Sequence, residues 1–231
     1  MYAKFWKRFF DLTLSLLALI VLSPVFLVLI IVGAIAMRGN PFFTQLRPGK
    51  KDRSGTEKIF RLIKFRTMSN RRDENGNLLP DAERLNGYGK FLRSTSLDEL
   101  PELINILKGN MAIVGPRPQL VRDMVFMTEK QRRRHDVRPG LTGLAQVNGR
   151  NNITWEQKFD YDLEYIDCGI TLVGDVKIIA KTVGKVLKRE DAVRDGTESD
   201  TDFGDWLVQE GKIGQTEYDE KQAEAKELAR V

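Results

Sequence analysis

The chain reads as a mainly helical α/β protein that begins with one long apolar segment. Three observations carry this. Apolar residues recur at helical spacing in several stretches, among them Leu103, Ile104, Ile106 and Leu107, and Trp155, Phe159, Leu163 and Ile166. Two shorter stretches read as strands: residues 58–68, where apolar and basic residues alternate, and residues 111–114, a brief apolar run. Residues 12–37 carry no charge at all, long enough for a helix to cross a bilayer, which takes about 20 residues.

With 231 residues the chain is one medium domain, or a domain with a tail. A single cysteine, Cys168, rules out an intramolecular disulfide and fits a reducing compartment. No Cys/His cluster has zinc spacing, and the lone His135, among arginines, is expected on a solvated helix. The net charge of +5 hides an asymmetry: residues 191–231 hold 12 Asp/Glu against 5 Lys/Arg, so the body is basic and the tail acidic. A basic body favours phosphate-rich partners such as nucleic acid, anionic lipid or nucleotide-linked substrates.

The apolar run admits three forms. A secretory signal peptide has a shorter apolar core than this. A single span and a helix that enters the membrane, turns and leaves on the same face both remain. Ser23-Pro24 at mid-run favours the second of these, because proline removes a backbone hydrogen bond and the serine hydroxyl can partner the freed carbonyl. Basic flanks on both sides (Lys4, Lys7 and Arg8; Arg38, Arg47, Lys50, Lys51 and Arg53) also keep both ends on one side under the positive-inside rule.

After the turn Gly39-Asn40-Pro41, Phe42 to Gln45 is a short apolar piece, and Arg47-Pro48-Gly49 is expected to turn again. Residues 58–68 form either a half-buried strand with a solvated face or a segment presenting Lys64 and Arg66 to phosphate. Residues 69–87 are loop, with a short helix near 81–85.

Residues 93–118 are the centre of the reading. Asp98-Glu99 lies between Arg93 and Arg117, and the stretch ends on Gly115-Pro116-Arg117-Pro118. Carboxylates bind a divalent cation and arginines fork onto phosphate oxygens. Such an Asp can also be a nucleophile that forms an aspartyl-phosphate. The competing structural reading makes Ser96 to Glu99 a capping box, with Pro101 in the first turn of the helix that follows.

Residues 120–136 read as one helix with a basic, solvated end, and 138–150 as a glycine-rich loop whose backbone approaches a ligand, with Arg138 and Arg150 at its ends. Neither a Walker A motif nor a Rossmann fingerprint occurs. Residues 176–187 form an amphipathic helix suited to a membrane surface or to the core. Residues 195–205 look like an acidic linker, and 217–231 a short charged helix in a mobile tail.

Together these segments resemble the bacterial monotopic phosphoglycosyl transferases, the small sugar transferases that start glycoconjugate assembly. The resemblance rests on the basic start with Ser23-Pro24, on Lys64-Phe65-Arg66-Thr67-Met68, on residues 93–118 with Asp98-Glu99, and on the stretch from Arg138 to Asn151, all in order over residues 1–190. It implies a re-entrant membrane helix over 1–38, a small interfacial catalytic domain over 39–190 with a small sheet and membrane-plane amphipathic helices, and a tail over 191–231 outside the match.

The reaction it implies moves a sugar-1-phosphate from a UDP-sugar to polyprenol (undecaprenyl) phosphate at the cytoplasmic face of the bacterial inner membrane. Asp98 would be nucleophile and Mg²⁺ ligand, Glu99 its catalytic neighbour, and Arg93 a phosphate holder. Lys64, Arg66, Arg117, Arg138 and Arg150 would hold the uridine diphosphate or lipid phosphate. No stretch names the sugar, although the small single-domain type leans towards an N-acetylated one. The alternative is a membrane-tethered basic binding module without catalysis. It leaves Asp98-Glu99 unexplained, and no nucleic-acid fingerprint supports a nucleic-acid partner.

Overall fold

A computed structural model describes residues 1–149, 153–188 and 201–230. Arg150, Asn151 and the linker residues 195–200 lie outside the described residues.

The chain opens with a π-turn, Tyr2–Trp6, that runs into α1 (Lys7–Val21) and then α2 (Ser23–Ala36). The axes of the two segments bend by 65° at the break. Pro24 has no N–H for the Ile20 carbonyl, and the Ser23 hydroxyl donates to that carbonyl at 2.8 Å instead. Among the described residues no single helix is long and apolar enough to cross a membrane, while Tyr2–Val21 and Ser23–Ala36 together meet that length and composition.

The first helix is inside-out. Its buried residues are polar, Lys7, Asp11 and Ser15 at helical spacing, while Leu14, Leu16, Leu17 and Ile20 are exposed. Lys7 Nζ meets Asp175 at 2.6 Å, and Asp11 accepts the Ile113 N–H at 3.0 Å. Arg8 donates to the carbonyls of Leu107 and Met111. Lys7 and Arg8, expected as basic flanks, are therefore spent on the protein's own body.

A two-stranded antiparallel hairpin follows, β1 (Phe42–Lys51) and β2 (Glu57–Phe65). The expected turn at Arg47-Pro48-Gly49 is instead part of β1, with Pro48 opposite Ile59 and an irregularity between Pro48 and Lys51 absorbing the proline. The far edge of β2 is closed by a side chain: fully buried Asn105 accepts from Ile63 N–H at 3.0 Å and donates to the Arg61 carbonyl at 2.8 Å. Asn105 belongs to α5 (Glu102–Leu107), whose Leu103 and Ile106 pack with Phe60, Leu62 and Met111. Before it come α3 (Asp81–Arg84) and α4 (Gly87–Thr95). The helix α2 rests on this layer, Leu29 packing with Phe65 and Leu92 and Tyr88 donating to the Leu29 carbonyl.

A second, parallel pair joins β3 (Ala112–Val114) to β4 (Gly140–Thr142). Between them the single helix expected over 120–136 is broken into α6 (Val121–Met124), α7 (Glu129–Arg132) and a 3-10 turn, Arg133–Asp136. Thr128 interrupts it, capping α7 through Gln131. The basic end is not solvated as expected. Arg134 is buried on Asp162 at 2.6 Å, Arg132 forks onto Glu57, and His135 is buried against Glu57 at 3.2 Å.

The glycines after Arg138 also have another purpose than the expected one. A Cβ on Gly140 would meet Gly115 N at 2.1 Å and one on Gly143 would meet Gly115 O at 2.2 Å, so the close approach is backbone to backbone. After α8 (Leu144–Val147) come α9 (Trp155–Asp167) and α10 (Leu172–Lys188), the latter with Val173, Val176 and Val183 exposed and Ile178 buried. The described tail forms α11 (Phe203–Gln209) and α12 (Gln215–Leu228). Contrary to a mobile tail, Phe203 is buried among Trp155, Phe159 and Met127.

Candidate active site

Four elements converge on one cavity of about 800 Å³. The end of β2 brings Lys64 and, just after it, Arg66 and Thr67. The last turn of α4 brings Arg93. The 3-10 turn Leu97–Glu99 brings Asp98 and Glu99, and the loop after β3 brings Arg117. The capping box expected at Ser96 does not form: Ser96 caps nothing with its side chain and has φ 55°, ending α4 in the left-handed region. That reversal directs the acidic turn toward β2. Pro101 is the residue before α5 rather than within its first turn.

Glu99 is held by two cations. Its Oε1 accepts from Lys64 Nζ at 2.8 Å and from Arg117 Nη2 at 2.9 Å. Lys64 also reaches Glu102 at 3.1 Å. Burial alone would lower the Lys64 pKa, but Glu99 and Glu102 outweigh it and raise the value. Glu99 likewise holds the Arg117 guanidinium well above its ordinary range. Burial pushes the Glu102 carboxyl up to about 7, with Glu99 adding to it and Lys64 and Arg117 opposing. The geometry therefore gives Glu99 a positioning role, tying β2 and the Arg117 loop together, with Asp98 beside it on the same cavity wall. Arg93 Nε donates to Thr67 at 3.2 Å, which fixes its guanidinium at the rim.

Arg117 is supported from behind. Its carbonyl accepts from Arg134 Nη2 at 2.7 Å, and Arg134 lies over the Phe159 ring at 5.6 Å. Arg138 is not in the cavity; its Nε donates to the Gly109 carbonyl at 2.8 Å. Arg47, which the sequence offered only as a basic flank, does line the cavity. It donates to the Pro118 carbonyl and to Gln45, and burial with Arg117 nearby pushes its pKa down to about 10. Thr201, Asp202 and Asp205 from the tail also line it. No local motif announces Arg47, Asp202 or Asp205, because each reaches the site through tertiary packing.

Among the described residues no group of three or more His, Cys, Asp or Glu is placed to hold a metal ion. Mg²⁺ rarely needs such a cage and is commonly bound by one or two carboxylates with substrate phosphates and water. Asp98, lining one cavity with Lys64, Arg66, Arg93 and Arg117, fits that mode.

The family described as bacterial sugar transferase matches residues 2–189. The chain belongs to the bacterial sugar transferases. It is accordingly a phosphoglycosyl transferase. Over 184 residues this sugar transferase is 48% identical to EpsL of Bacillus subtilis (strain 168), named an uncharacterized sugar transferase, across 80% of this chain and 88% of that one. It is 34% identical over 201 residues to the exopolysaccharide production protein ExoY of Sinorhizobium fredii, covering 78% and 84%. With a UDP-glucose:undecaprenyl-phosphate glucose-1-phosphate transferase of Klebsiella pneumoniae it shares 38% identity over 190 residues, covering 78% of this chain but 40% of that longer protein.

Proposed function

We propose that this sugar transferase moves a sugar-1-phosphate from a UDP-sugar to undecaprenyl phosphate, in two displacements at Asp98. The carrying observation is the shared cavity: Asp98 lies in one space with Lys64, Arg66, Arg93 and Arg117, a carboxylate among the cations that a diphosphate needs. The names of relatives that act on UDP-glucose or undecaprenyl phosphate support the substrate pair.

In the first step an Asp98 oxygen attacks the β-phosphorus, and the bond from that phosphorus to the bridging oxygen breaks. UMP leaves with the electron pair, and the sugar phosphate stays on Asp98 as an acyl phosphate. In the second step an oxygen of the lipid phosphate attacks the same phosphorus, Asp98 is released as a carboxylate, and a polyprenyl-diphosphate sugar is formed. Arg93 and Arg66 orient the phosphate oxygens, and Arg117 and Lys64, anchored on Glu99, keep the cation array rigid. Mg²⁺ held by Asp98 and substrate oxygens would offset phosphate charge.

The membrane half of the reading rests on the bent α1–α2 pair, whose exposed faces are apolar, with polar residues buried on α1 and Leu29 and Gly33 buried on α2. That arrangement suits a re-entrant insertion from the cytoplasmic face of the bacterial inner membrane, with α10 lying in the membrane plane. The lipid's phosphate would then meet a soluble cavity at the interface.

The test is UMP release by detergent-solubilised protein given Mg²⁺, undecaprenyl phosphate and a panel of UDP-sugars that includes glucose, galactose and N-acetylated forms. One sugar should yield UMP, and Asp98→Asn should lose at least about 10³-fold of the rate. UMP release that survives in Asp98→Asn refutes the nucleophile assignment.

A further inference from the structure

The family match ends at residue 189, yet the cavity does not end there. Thr201, Asp202 and Asp205 line it together with Asp98. The segment carrying them is docked at several points. Phe203 is 3% exposed and packs against Trp155 and Phe159 with ring centroids 5.2 and 5.0 Å away. Its N–H donates to buried Asp123 at 2.9 Å, and Trp155 Nε1 donates to the Thr201 carbonyl at 3.1 Å. Gly204 lies flush on Phe126, where a Cβ would meet the ring at 2.5 Å.

The cavity carries both signs of charge. Lys64, Arg66, Arg93 and Arg117 line it with Asp98, and the tail adds carboxylates, of which Asp202 feels Arg122 and Arg47. Asp202 is ion-paired with Arg122, and Asp205 accepts from Tyr218 at 2.5 Å, so both are held in place. A carboxylate repels a phosphate and accepts hydrogen bonds from hydroxyls. We propose that the segment 201–209 is the ring-binding end of the donor site, where Asp202 and Asp205 accept hydrogen bonds from a neutral, hydroxyl-rich ring of the UDP-sugar, its sugar or its ribose. The diphosphate then lies toward Asp98. This inference rests on the transferase reading above, and it makes donor selection a property of a segment outside the shared family region.

The experiment uses the full chain in detergent with undecaprenyl phosphate and the UDP-sugar that the panel identifies. Asp205→Asn weakens the acceptor while keeping an oxygen for Tyr218. Gly204→Val pushes the segment off Phe126, which Trp155 and Trp206 fluorescence reports. Each variant should raise the donor KM about three- to tenfold, as expected for one or two lost hydrogen bonds. The KM for undecaprenyl phosphate and kcat should stay within about twofold. A rise of the UDP inhibition constant in the same ratio assigns the ribose, and an unchanged UDP constant assigns the sugar. Donor KM values that stay at wild type, with only melting temperature or active fraction lowered, overturn the proposal and leave the segment structural. If Gly204→Val fails to fold, Asp205→Asn decides alone. Wild-type protein that yields no UMP from any sugar refutes the transferase reading itself, a different result from UMP release with unmoved constants.

Discussion

Replacing Asn105 by Leu tests how the acidic turn is held against the hairpin. Leucine keeps the branched outline of asparagine but is larger, so it adds some overpacking in this buried place, and the change removes two hydrogen bonds to the edge of β2. The Ile63 N–H and the Arg61 carbonyl lose their side-chain partner. Each such orphan costs about 1–3 kcal/mol when buried. Both backbone groups are only partly buried, so water recovers some of this, and the sum should be about 2–4 kcal/mol. For a chain of this size that lowers the melting temperature by roughly 4–16 °C.

Activity should fall with stability, because the same clasp sets the distance between Lys64, the residue after Ile63, and Glu99. Scanning fluorimetry and urea unfolding in a fixed detergent give the stability, and UMP release at saturating donor gives the rate. Asn105→Asp is the companion: it can still accept from Ile63 but faces the Arg61 carbonyl with an acceptor, and should be at least as damaging as Leu. A loss below about 0.5 kcal/mol for both variants would refute the clasp argument.

Two further outcomes follow from buried polar groups. Burial pushes the His135 pKa down to about 4, from about 6.5 in an unfolded chain, so the folded state binds fewer protons between those values. Stability is fully present above pH 6.5 and falls as the pH drops toward 4; Glu57, whose own carboxyl is held low, adds loss in the same direction at more acid pH. His135→Gln should flatten the stability profile between pH 6.5 and 4, and an unchanged slope in a pH series of melting curves would contradict the assignment. At the other end of the molecule Asp175 accepts from Lys7, Tyr2 and Tyr165 at 2.6, 2.7 and 2.8 Å. Asp175→Asn, leaving Lys7 buried without its counter-charge, should cost about 2–3 kcal/mol, and a double-mutant cycle with Lys7→Met should give a coupling above about 1 kcal/mol.

The hairpin strand, the helix of Leu103 and Ile106, the short strand before Gly115 and the helix of Trp155 were legible because each carries its period locally. The break at Ser23-Pro24 was legible for the same reason, since proline acts on its own carbonyl partner four residues back. What escaped was decided by partners distant in sequence. The run 120–136 has helical composition throughout, but Arg132, Arg134 and His135 are claimed by Glu57 and Asp162, and a continuous helix could not deliver all three. The same holds for the site. Lys64, Arg66, Arg93, Asp98, Glu99 and Arg117 came together as read, whereas Arg138 turned to Gly109 and Asp202 and Asp205 entered from a segment that composition alone marked as tail.

The division of labour within the acidic pair follows from this geometry. Of the two adjacent carboxylates in one 3-10 turn, Glu99 is the bolt between β2 and the loop after β3. Glu99, with its longer side chain, reaches both Lys64 and Arg117 and neutralises part of the charge that would otherwise drive those cations apart. Glu102, whose carboxyl burial shifts toward the neutral form, holds Lys64 from a second side at 3.1 Å. Lys64, Arg117, Glu99 and Glu102 are thereby bonded to one another beside the cavity. An arriving diphosphate meets cations already fixed in place, so little reorganisation is needed when charge builds on the phosphorus.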